Sequence, residues 1–426
     1  MLDNIQITTL SNGMTVLSTA DPDAESVSAG IWIRAGGRYE SDSEAGFSHF
    51  LEHMLFKGTP SRSSLDITRI IEGCGGYINA YTQEESTCYY TRLPCEYMEN
   101  SVDVLADMYV NSLLADDEIE REREVIMEEI KMYQDLPYHQ VQETLQEAMF
   151  KEHALGRPVA GNEESLSRLD HDCLAEFKDA YYRPSSTVMA FAGKLNHSDC
   201  VQCVEKYFGM LPAGEAYLPA ELNSACTQDD LIVTGKEISQ VHAVIGFRIF
   251  GRHDRRRYAL RVLNALLGEN MSSRLFQSVR ERHGLCYSIQ SGYQLFSDGG
   301  IFSISGGFDA SRAFSALELT ASELRKLSEN GIGEDELNRT QKYLQGTFRL
   351  ALESVGSRMN FLGESYLNYR HVRSPEEMLS GIKAVQIEDV EALIAEILTG
   401  DNMTLAVVAP NELSIDKKRW LESVQL

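Results

Sequence analysis

Residues 49–53 read His49-Phe50-Leu51-Glu52-His53, an H-x-x-E-H pattern around which the rest of the chain is interpreted. On an α-helix, residues four apart lie on the same face, so His49 and His53 can present two imidazole nitrogens to one point. Glu52 lies beside them, where its carboxylate can act as a base on water. Two neutral nitrogens and a neighbouring base are what a zinc hydrolase uses, and only a third ligand is lacking. The alternative is two histidines on an amphipathic helix, satisfied by water or backbone.

The sequence around this motif predicts a short helix. Ser41 to Glu44 supply helix-start residues, and Phe47 to Phe56 carry the helix itself. Gly58-Thr59-Pro60 ends it, with a glycine at the C-cap and a proline beyond. The histidines therefore lie on a bounded helix, as the motif requires.

Length and charge limit the classes of protein that this chain can represent. With 426 residues it is too long for one compact core, so we expect two or more domains. The 64 acidic residues exceed the 39 basic ones, for a net charge of −25. This balance disfavours nucleic acid and anionic membranes as partners and is compatible with basic peptide substrates. No run of about 18 apolar residues occurs, so we expect no membrane span.

The N-terminus and the cysteines favour a cytoplasmic protein. Residues 1–6 have neither the basic nor the apolar segment of a secretory signal. The eight cysteines are scattered, and we interpret them as reduced thiols. Cys200-x-x-Cys203 resembles a redox or metal half-site, but thiols on the buried face of a short helix are the favoured interpretation of a lone pair.

A faint internal repeat predicts two similar halves. Residues 244–249 resemble residues 29–34, and residues 404–409 resemble residues 187–192, both at offsets of about 216. In the second half, apolar residues occupy the positions of His49, Glu52 and His53, so this half has the scaffold without the metal. These residues are Ala259, Val262 and Leu263.

Residues 212–230 are predicted to be a linker, because they contain two prolines, small residues and acids without periodicity. We therefore expect an N-terminal zinc-binding catalytic domain at 1–211. We expect a C-terminal domain of similar fold, without metal, at 231–426.

The segment 116–133 supplies candidates for the third ligand. Its dense charge is compatible with a solvated helix laced with ion pairs. A helical wheel, however, places Glu122 and Glu129 within an apolar arc formed by Ile119, Val125, Ile126, Ile130 and Tyr133. A buried carboxylate is costly unless a cation compensates it, and zinc would do so. Spacing alone does not choose between Glu122 and Glu129, and the other carboxylate can orient a ligand histidine.

Four stretches of sequence together carry a family resemblance. They are H-F-L-E-H-M-L-F-K-G-T at 49–59, G-G-x-x-N-A-Y-T at 75–82, E-R-E-R-x-V-I-x-E-E at 120–129 and R-E-R-x-G-L-x-Y at 280–287. With these motifs the chain resembles the pitrilysin-type metallopeptidases, in the shorter branch close to the β subunit of mitochondrial processing peptidase. The resemblance covers nearly the whole chain.

The resemblance implies a fold and a metal site. The fold is α+β, with two similar domains, each a mostly antiparallel sheet with helices packed on it, arranged as a clamshell. One Zn²⁺ per chain would be held by His49, His53 and Glu129, and the separation of 76 residues between the last two fits the family. Glu52 would be the general base that activates water.

The resemblance also implies supporting residues. Glu122 would be the supporting acid, and Asn79 and Ala80 would lie on an edge strand that pairs with the substrate backbone. Arg280 and Tyr287 would contact substrate near the scissile carbonyl and steady the developing oxyanion. The alternatives are a salt bridge to Glu281 for the arginine and a core position for the tyrosine.

The sequence thus predicts a zinc endopeptidase that acts on unfolded peptides or basic leader segments, as a homodimer. One alternative is a non-catalytic structural subunit on the same scaffold, although such subunits usually lose part of the metal set. Another is an active subunit that works only beside an inactive partner. The complete pair of Arg280 and Tyr287 favours self-sufficiency.

Overall fold

Two β-sheets organise the chain. The computed structural model describes residues 4–215, 217–222 and 228–426, so the predicted linker lies partly, and Cys226 wholly, outside the described residues. The strands are β1 (Ile5–Thr9), β2 (Thr15–Ala20), β3 (Ser26–Ile33), β4 (Tyr77–Thr82), β5 (Thr87–Pro94), β6 (Thr187–Gly193), β7 (Leu231–Lys236), β8 (Gln240–Ile249), β9 (Cys286–Leu295), β10 (Gly300–Asp309) and β11 (Met403–Pro410).

Helices precede, follow and connect these strands. They are α1 (Phe47–Leu55), α2 (Ser64–Glu72), α3 (Met98–Asn111), α4 (Asp116–Asp135), α5 (Pro137–Met149), α6 (Glu163–Ser167), α7 (His171–Tyr181), α8 (His197–Phe208), α9 (Arg257–Asn264), α10 (Ala313–Asn330), α11 (Glu334–Ala351), α12 (Val355–Tyr369), α13 (Pro375–Ala384), α14 (Ile387–Ile397) and α15 (Lys417–Ser423). The predicted starts of α4 at Asp116 and of α1 at Phe47 are confirmed.

The two sheets repeat one topology. The first has the order β1-β2-β6-β3-β5-β4 and the second the order β7-β11-β8-β10-β9. In each sheet one pair is parallel, β2 with β6 and β7 with β11, and the other pairs are antiparallel. Each sheet packs against helices. The predicted α+β fold of two similar, mostly antiparallel domains is confirmed.

The compact units differ from contiguous halves of the chain. Of the described residues, the first unit takes Met1–Ile130, Arg157–Ala220 and Arg349–Pro375. The second takes Lys131–Gly156, Glu221–Phe348 and Glu376–Leu426. The domain boundaries predicted at 211 and 231 therefore miss an exchange of helices between the two halves of the chain. The helix α12 of the second half belongs to the first unit, and α5 of the first half belongs to the second unit. A sequence pattern identifies an apolar helix face but not the sheet that it covers.

Equivalent glycines let the exchanged helices approach the sheets. A Cβ on Gly30 of β3 would lie 2.6 Å from the ring of Trp32 and 3.2 Å from the sulfur of Met359 in α12. A Cβ on Gly246 of β8 would lie 2.7 Å from Leu145 in α5. The two glycines are 216 residues apart, so they support the internal repeat. On its opposite face, the first sheet packs against α1, through Phe50 among other residues.

Within the described ranges, every helix is too short or too polar to span a bilayer. The seven described cysteines are free thiols, and Cys200 and Cys203 are buried. Both belong to the apolar core of the first unit, as the favoured interpretation of this pair predicts.

We predict that Gly363→Ala in α12 destabilises the protein. Its Cβ would come within 2.4 Å of the ring of Trp32, which is fully buried. Overpacking of this kind costs roughly 1–3 kcal/mol. Gly346→Ala in α11 is the matched control, because no atom lies within 4 Å of its added Cβ. Gly346→Ala should raise the free energy of unfolding by about 0.5–1 kcal/mol. Urea unfolding measures both, and equal stability of the two variants would contradict the packing described.

Candidate metal centre

The helix α1 is fixed at its N-terminus by a buried carboxylate. Its N-cap, Gly46, has a left-handed backbone with φ of 93° and no side chain to cap the helix. Glu40 replaces that cap by accepting the N–H groups of Gly46 at 2.8 Å and of Ser48 at 2.7 Å. Burial raises the pKa of Glu40 to about 7, against these two donors. The orientation of the motif helix thus depends on a residue nine positions before His49.

Two histidines and one glutamate converge beside α1. The Nε2 atoms of His49 and His53 lie 3.8 and 3.7 Å from Oε2 of Glu129. One ligand atom from each of the three residues lies within 4.8 Å of the others. Zinc ligands about 2.0–2.2 Å from the ion stand roughly 3.3–3.6 Å apart in a tetrahedron. The donor set and its spacing therefore fit a zinc ion with one position left open for water.

His53 is oriented by a second carboxylate. Its Nδ1 donates to Oε1 of Glu122 at 2.8 Å, since an ionised carboxylate can only accept. This bond leaves the Nε2 lone pair free for a metal. Lys57 pairs with the other oxygen of Glu122, which is 4% exposed. Among the described residues, Nδ1 of His49 has no hydrogen-bond partner, in contrast to Nδ1 of His53.

Electrostatics differ between the two histidines. Burial lowers the pKa of His49 to about 4, with His53 adding to the effect and Glu129 opposing it. Burial also lowers the pKa of His53, but the hydrogen bond to Glu122 and three nearby carboxylates outweigh burial and raise it. Burial raises the pKa of Glu122, but its bonds to His53 and Lys57 outweigh that effect and lower it. The carboxylate of Glu122 is therefore held in its charged form.

Glu52 is oriented by the edge strand β4. Thr82 donates from its hydroxyl to Oε2 of Glu52 at 2.6 Å. Burial raises the pKa of Glu52, although this hydrogen bond lowers it. Asn79 and Ala80 lie on the same strand, which pairs with β5 on one side and ends the sheet on the other. The predicted edge strand and the candidate base are thus linked through one hydroxyl.

Arg280 and Tyr287 lie together in the second unit. The guanidinium of Arg280 lies 5.2 Å from the ring centre of Tyr287 and 4.5 Å from that of Phe276. Tyr287 is 84% exposed, so the alternative of a core aromatic is wrong. The contact of Arg280 with Glu281 is long, at 3.9 Å.

The helical wheel of α4 correctly predicts that Glu122 and Glu129 lie on the packed side of the helix, and it is wrong for Val125. Glu122 is buried and Glu129 half-buried, but Val125 is 51% exposed. The buried stripe is narrower than the wheel suggests, since only three residues of the helix are fully buried. They are Ile119, Glu122 and Ile126.

Sequence reasoning missed three supporting residues: Glu40, Lys57 and Thr82. The last two lie within the quoted motifs, but nothing in the motif assigns them a role. Glu40 carries no local signal, because its contacts form only when the chain folds back on α1.

Comparison with known proteins identifies the family of the chain. A family model described as insulinase, peptidase family M16, matches residues 15–163, and one described as peptidase M16 inactive domain matches residues 168–344. An uncharacterized zinc protease of Streptomyces coelicolor is 36% identical, over 96% of this chain and 90% of its own. The uncharacterized zinc protease YmxG of Bacillus subtilis is 36% identical, over 95% of this chain and 98% of its own. The chain belongs to peptidase family M16.

Solved structures share the fold. A protease from Helicobacter pylori superposes with a TM-score of 0.89 at 20% identity, over 96% of this chain and 100% of its own. A peptidase M16 inactive domain from Pseudomonas fluorescens superposes with a TM-score of 0.87 at 20% identity, over 96% and 98% of the two chains. The resemblance to the pitrilysin-type metallopeptidases is confirmed.

We predict that Lys57→Met weakens zinc binding by roughly tenfold, within the range typical of outer residues around a metal site. The substitution removes the cation beside Glu122, which then holds His53 less firmly. Competition with a chromophoric chelator measures the affinity of the metal-free protein. Lys57→Arg, which keeps the charge, should restore most of it. Wild-type affinity in Lys57→Met would show that the lysine has no part in the site.

Proposed function

We propose that the chain is a zinc-dependent endopeptidase whose ion is held by His49, His53 and Glu129. The observation that carries this proposal is the convergence of two Nε2 atoms and one carboxylate oxygen within 4.8 Å. Three protein ligands with an open position are typical of catalytic zinc, whereas structural sites use four. The zinc protease names of the relatives support the same metal.

Glu52 is the general base of the proposed reaction. A bound zinc ion would lower the pKa of water towards neutrality and polarise the peptide carbonyl. Glu52 takes the proton from the attacking water and passes it to the leaving amine. Thr82 holds one oxygen of its carboxylate, at 2.6 Å, and leaves the other for the proton. Glu122 keeps His53 in the tautomer that offers Nε2.

An extended peptide is the proposed substrate. The free edge of β4 offers backbone groups at Asn79 and Ala80, so an unfolded segment can pair there as an added strand. The net charge of −25 favours basic leader segments over acidic ones.

Arg280 and Tyr287 are retained as proposed substrate-contacting residues. Their mutual contact and the exposure of the tyrosine support this role, because both side chains can donate hydrogen bonds to a developing oxyanion. The homodimer, the cytoplasmic location and the clamshell arrangement stay predictions.

We predict that chelation abolishes peptide cleavage and that Glu52→Gln strongly reduces it, for different reasons. Removing the metal removes the electrophile, whereas Glu52→Gln removes the base and should cost about 10²–10⁴ in kcat. Cleavage of a peptide library, with metal content determined in parallel, separates the two. Glu52→Gln should retain one zinc per chain. A protein that holds no stoichiometric zinc would instead be a structural subunit, and activity that survives both treatments would refute the mechanism.

We predict that Thr82→Val lowers kcat by about tenfold or more and leaves zinc content unchanged. A hydrogen bond to a charged group contributes about 1.5–3 kcal/mol, and about 1.4 kcal/mol corresponds to a factor of ten in rate. The loss should fall on kcat rather than KM, because the hydroxyl orients the base and not the substrate. Thr82→Ser, which keeps the hydroxyl, should retain activity. An equal loss in both variants would indicate a purely structural role.

A further inference from the structure

The sheet of the second unit is only partly covered on one face. The helix α5 packs across β7, β11 and β8, where its apolar residues meet apolar strand residues. Beyond α5, on the same face, β10 and β9 carry amides and hydroxyls instead. A cavity of about 250 Å³ lies there, between the helix and the two strands.

Register places the floor of this cavity on three cross-strand pairs. Gln290 faces Ser305, Gly292 faces Ser303, and Gln294 faces Ile301. The wall is one stripe of α5 that includes Tyr138 and Gln142, four residues apart. All of these residues belong to the second unit.

The lining is polar but uncharged. Among the residues that the structure describes, no Asp, Glu, Lys, Arg or His lines the cavity, although 24% of the chain is charged. Gln290 donates to the hydroxyl of Tyr138 at 2.9 Å, so one side of the rim is already ordered. Among the described residues, the side chains of Gln142, Gln294 and Ser305 make no hydrogen bond to the protein. An ion would lose hydration there without a countercharge, whereas a neutral group that both donates and accepts is matched.

Gly292 keeps the floor open. Glycine inside a strand weakens it and often marks a place where another group approaches closely. A Cβ at Gly292 would meet no atom within 4 Å, so the scaffold does not require glycine at this position.

The first unit fills the equivalent place with its own side chains. There, β4 and β5 occupy the positions of β9 and β10 in the sheet order, and α12 that of α5. The rings of Tyr77 and Tyr81 lie 6.1 and 6.2 Å from that of Tyr90, and the hydroxyl of Tyr81 donates to Glu364 of α12. The cavity of the second unit is therefore not a necessary consequence of the fold.

We propose that this cavity binds the carboxamide side chain of a glutamine or asparagine in a peptide substrate. This proposal rests on the proposed function. A carboxamide donates and accepts, as the lining does. A cavity of about 150 Å³ holds a benzene molecule, so this one admits such a side chain with its adjoining peptide groups. Leu145 and Ile301 contact the methylene groups.

The test measures binding separately from cleavage. The Glu52→Gln protein is titrated calorimetrically with acetyl-Ala-Ala-Xaa-Ala-Ala-amide peptides in which Xaa is Gln, Glu, Lys or Leu. We expect the Gln peptide to bind at least tenfold more tightly than the other three. Free glutamine amide serves as a further probe, and tight binding of it alone would assign the cavity to a small molecule rather than a peptide. Equal affinity for all four peptides would overturn the proposal.

Two variants locate that preference. Gly292→Leu, added to Glu52→Gln, places a side chain on the floor at a position where the Cβ meets no atom within 4 Å, and should remove the preference for Gln. The matched control Gly346→Leu adds the same side chain at another open glycine of the second unit and should keep it. Gln142→Leu removes an amide at similar side-chain volume and should also remove the preference for Gln. This variant replaces Gly292→Leu in the test if Gly292→Leu does not fold. A preference that survives in both Gly292→Leu and Gln142→Leu would refute the site. If the Glu52→Gln protein binds the Gln peptide selectively but the wild-type protein has no peptidase activity, only the proposed function is refuted.

Discussion

The carboxylate of Glu122 is the group on which the rest of the metal centre depends. It is buried, so it must be compensated, and it is compensated from two sides by His53 and Lys57. The same contacts that stabilise the charge fix the orientation of His53, one of the candidate ligands. Removing either partner would leave the buried charge only partly compensated, so a change at this residue affects both stability and the geometry of the candidate metal site.

Much of this arrangement follows from local sequence. The spacing of His49 and His53 places them on one helix face, and the wheel of α4 brings Glu122 and Glu129 to its packed side. These four candidates follow from local sequence, whereas the choice of Glu129 as the third ligand comes from the family resemblance. The strand repeat likewise predicts two similar sheets. These inferences succeed because helix and strand periodicity depend on neighbours in the chain.

The remainder depends on contacts between distant segments. Glu40 caps α1 only because the chain turns back on itself, and Thr82 reaches Glu52 only because β4 lies against α1. The exposure of Val125 was not predicted, because a helical wheel gives the direction of a side chain but not the width of the surface that packs on the helix. The exchange of α5 and α12 has no local signal at all. The two halves also differ, since α1 carries the candidate ligands His49 and His53, whereas α9 carries Ala259, Val262 and Leu263.

The exchange of helices has a consequence for synthesis. One face of the first sheet, with Trp32 at its centre, is covered by α12, which begins at Val355 of a 426-residue chain. During translation, the first sheet therefore emerges before the helix that covers this apolar face. Exposed apolar surface is prone to aggregation, so the nascent chain carries this risk until α12 has been made. Neither half of the gene, expressed alone, encodes a unit with both faces covered.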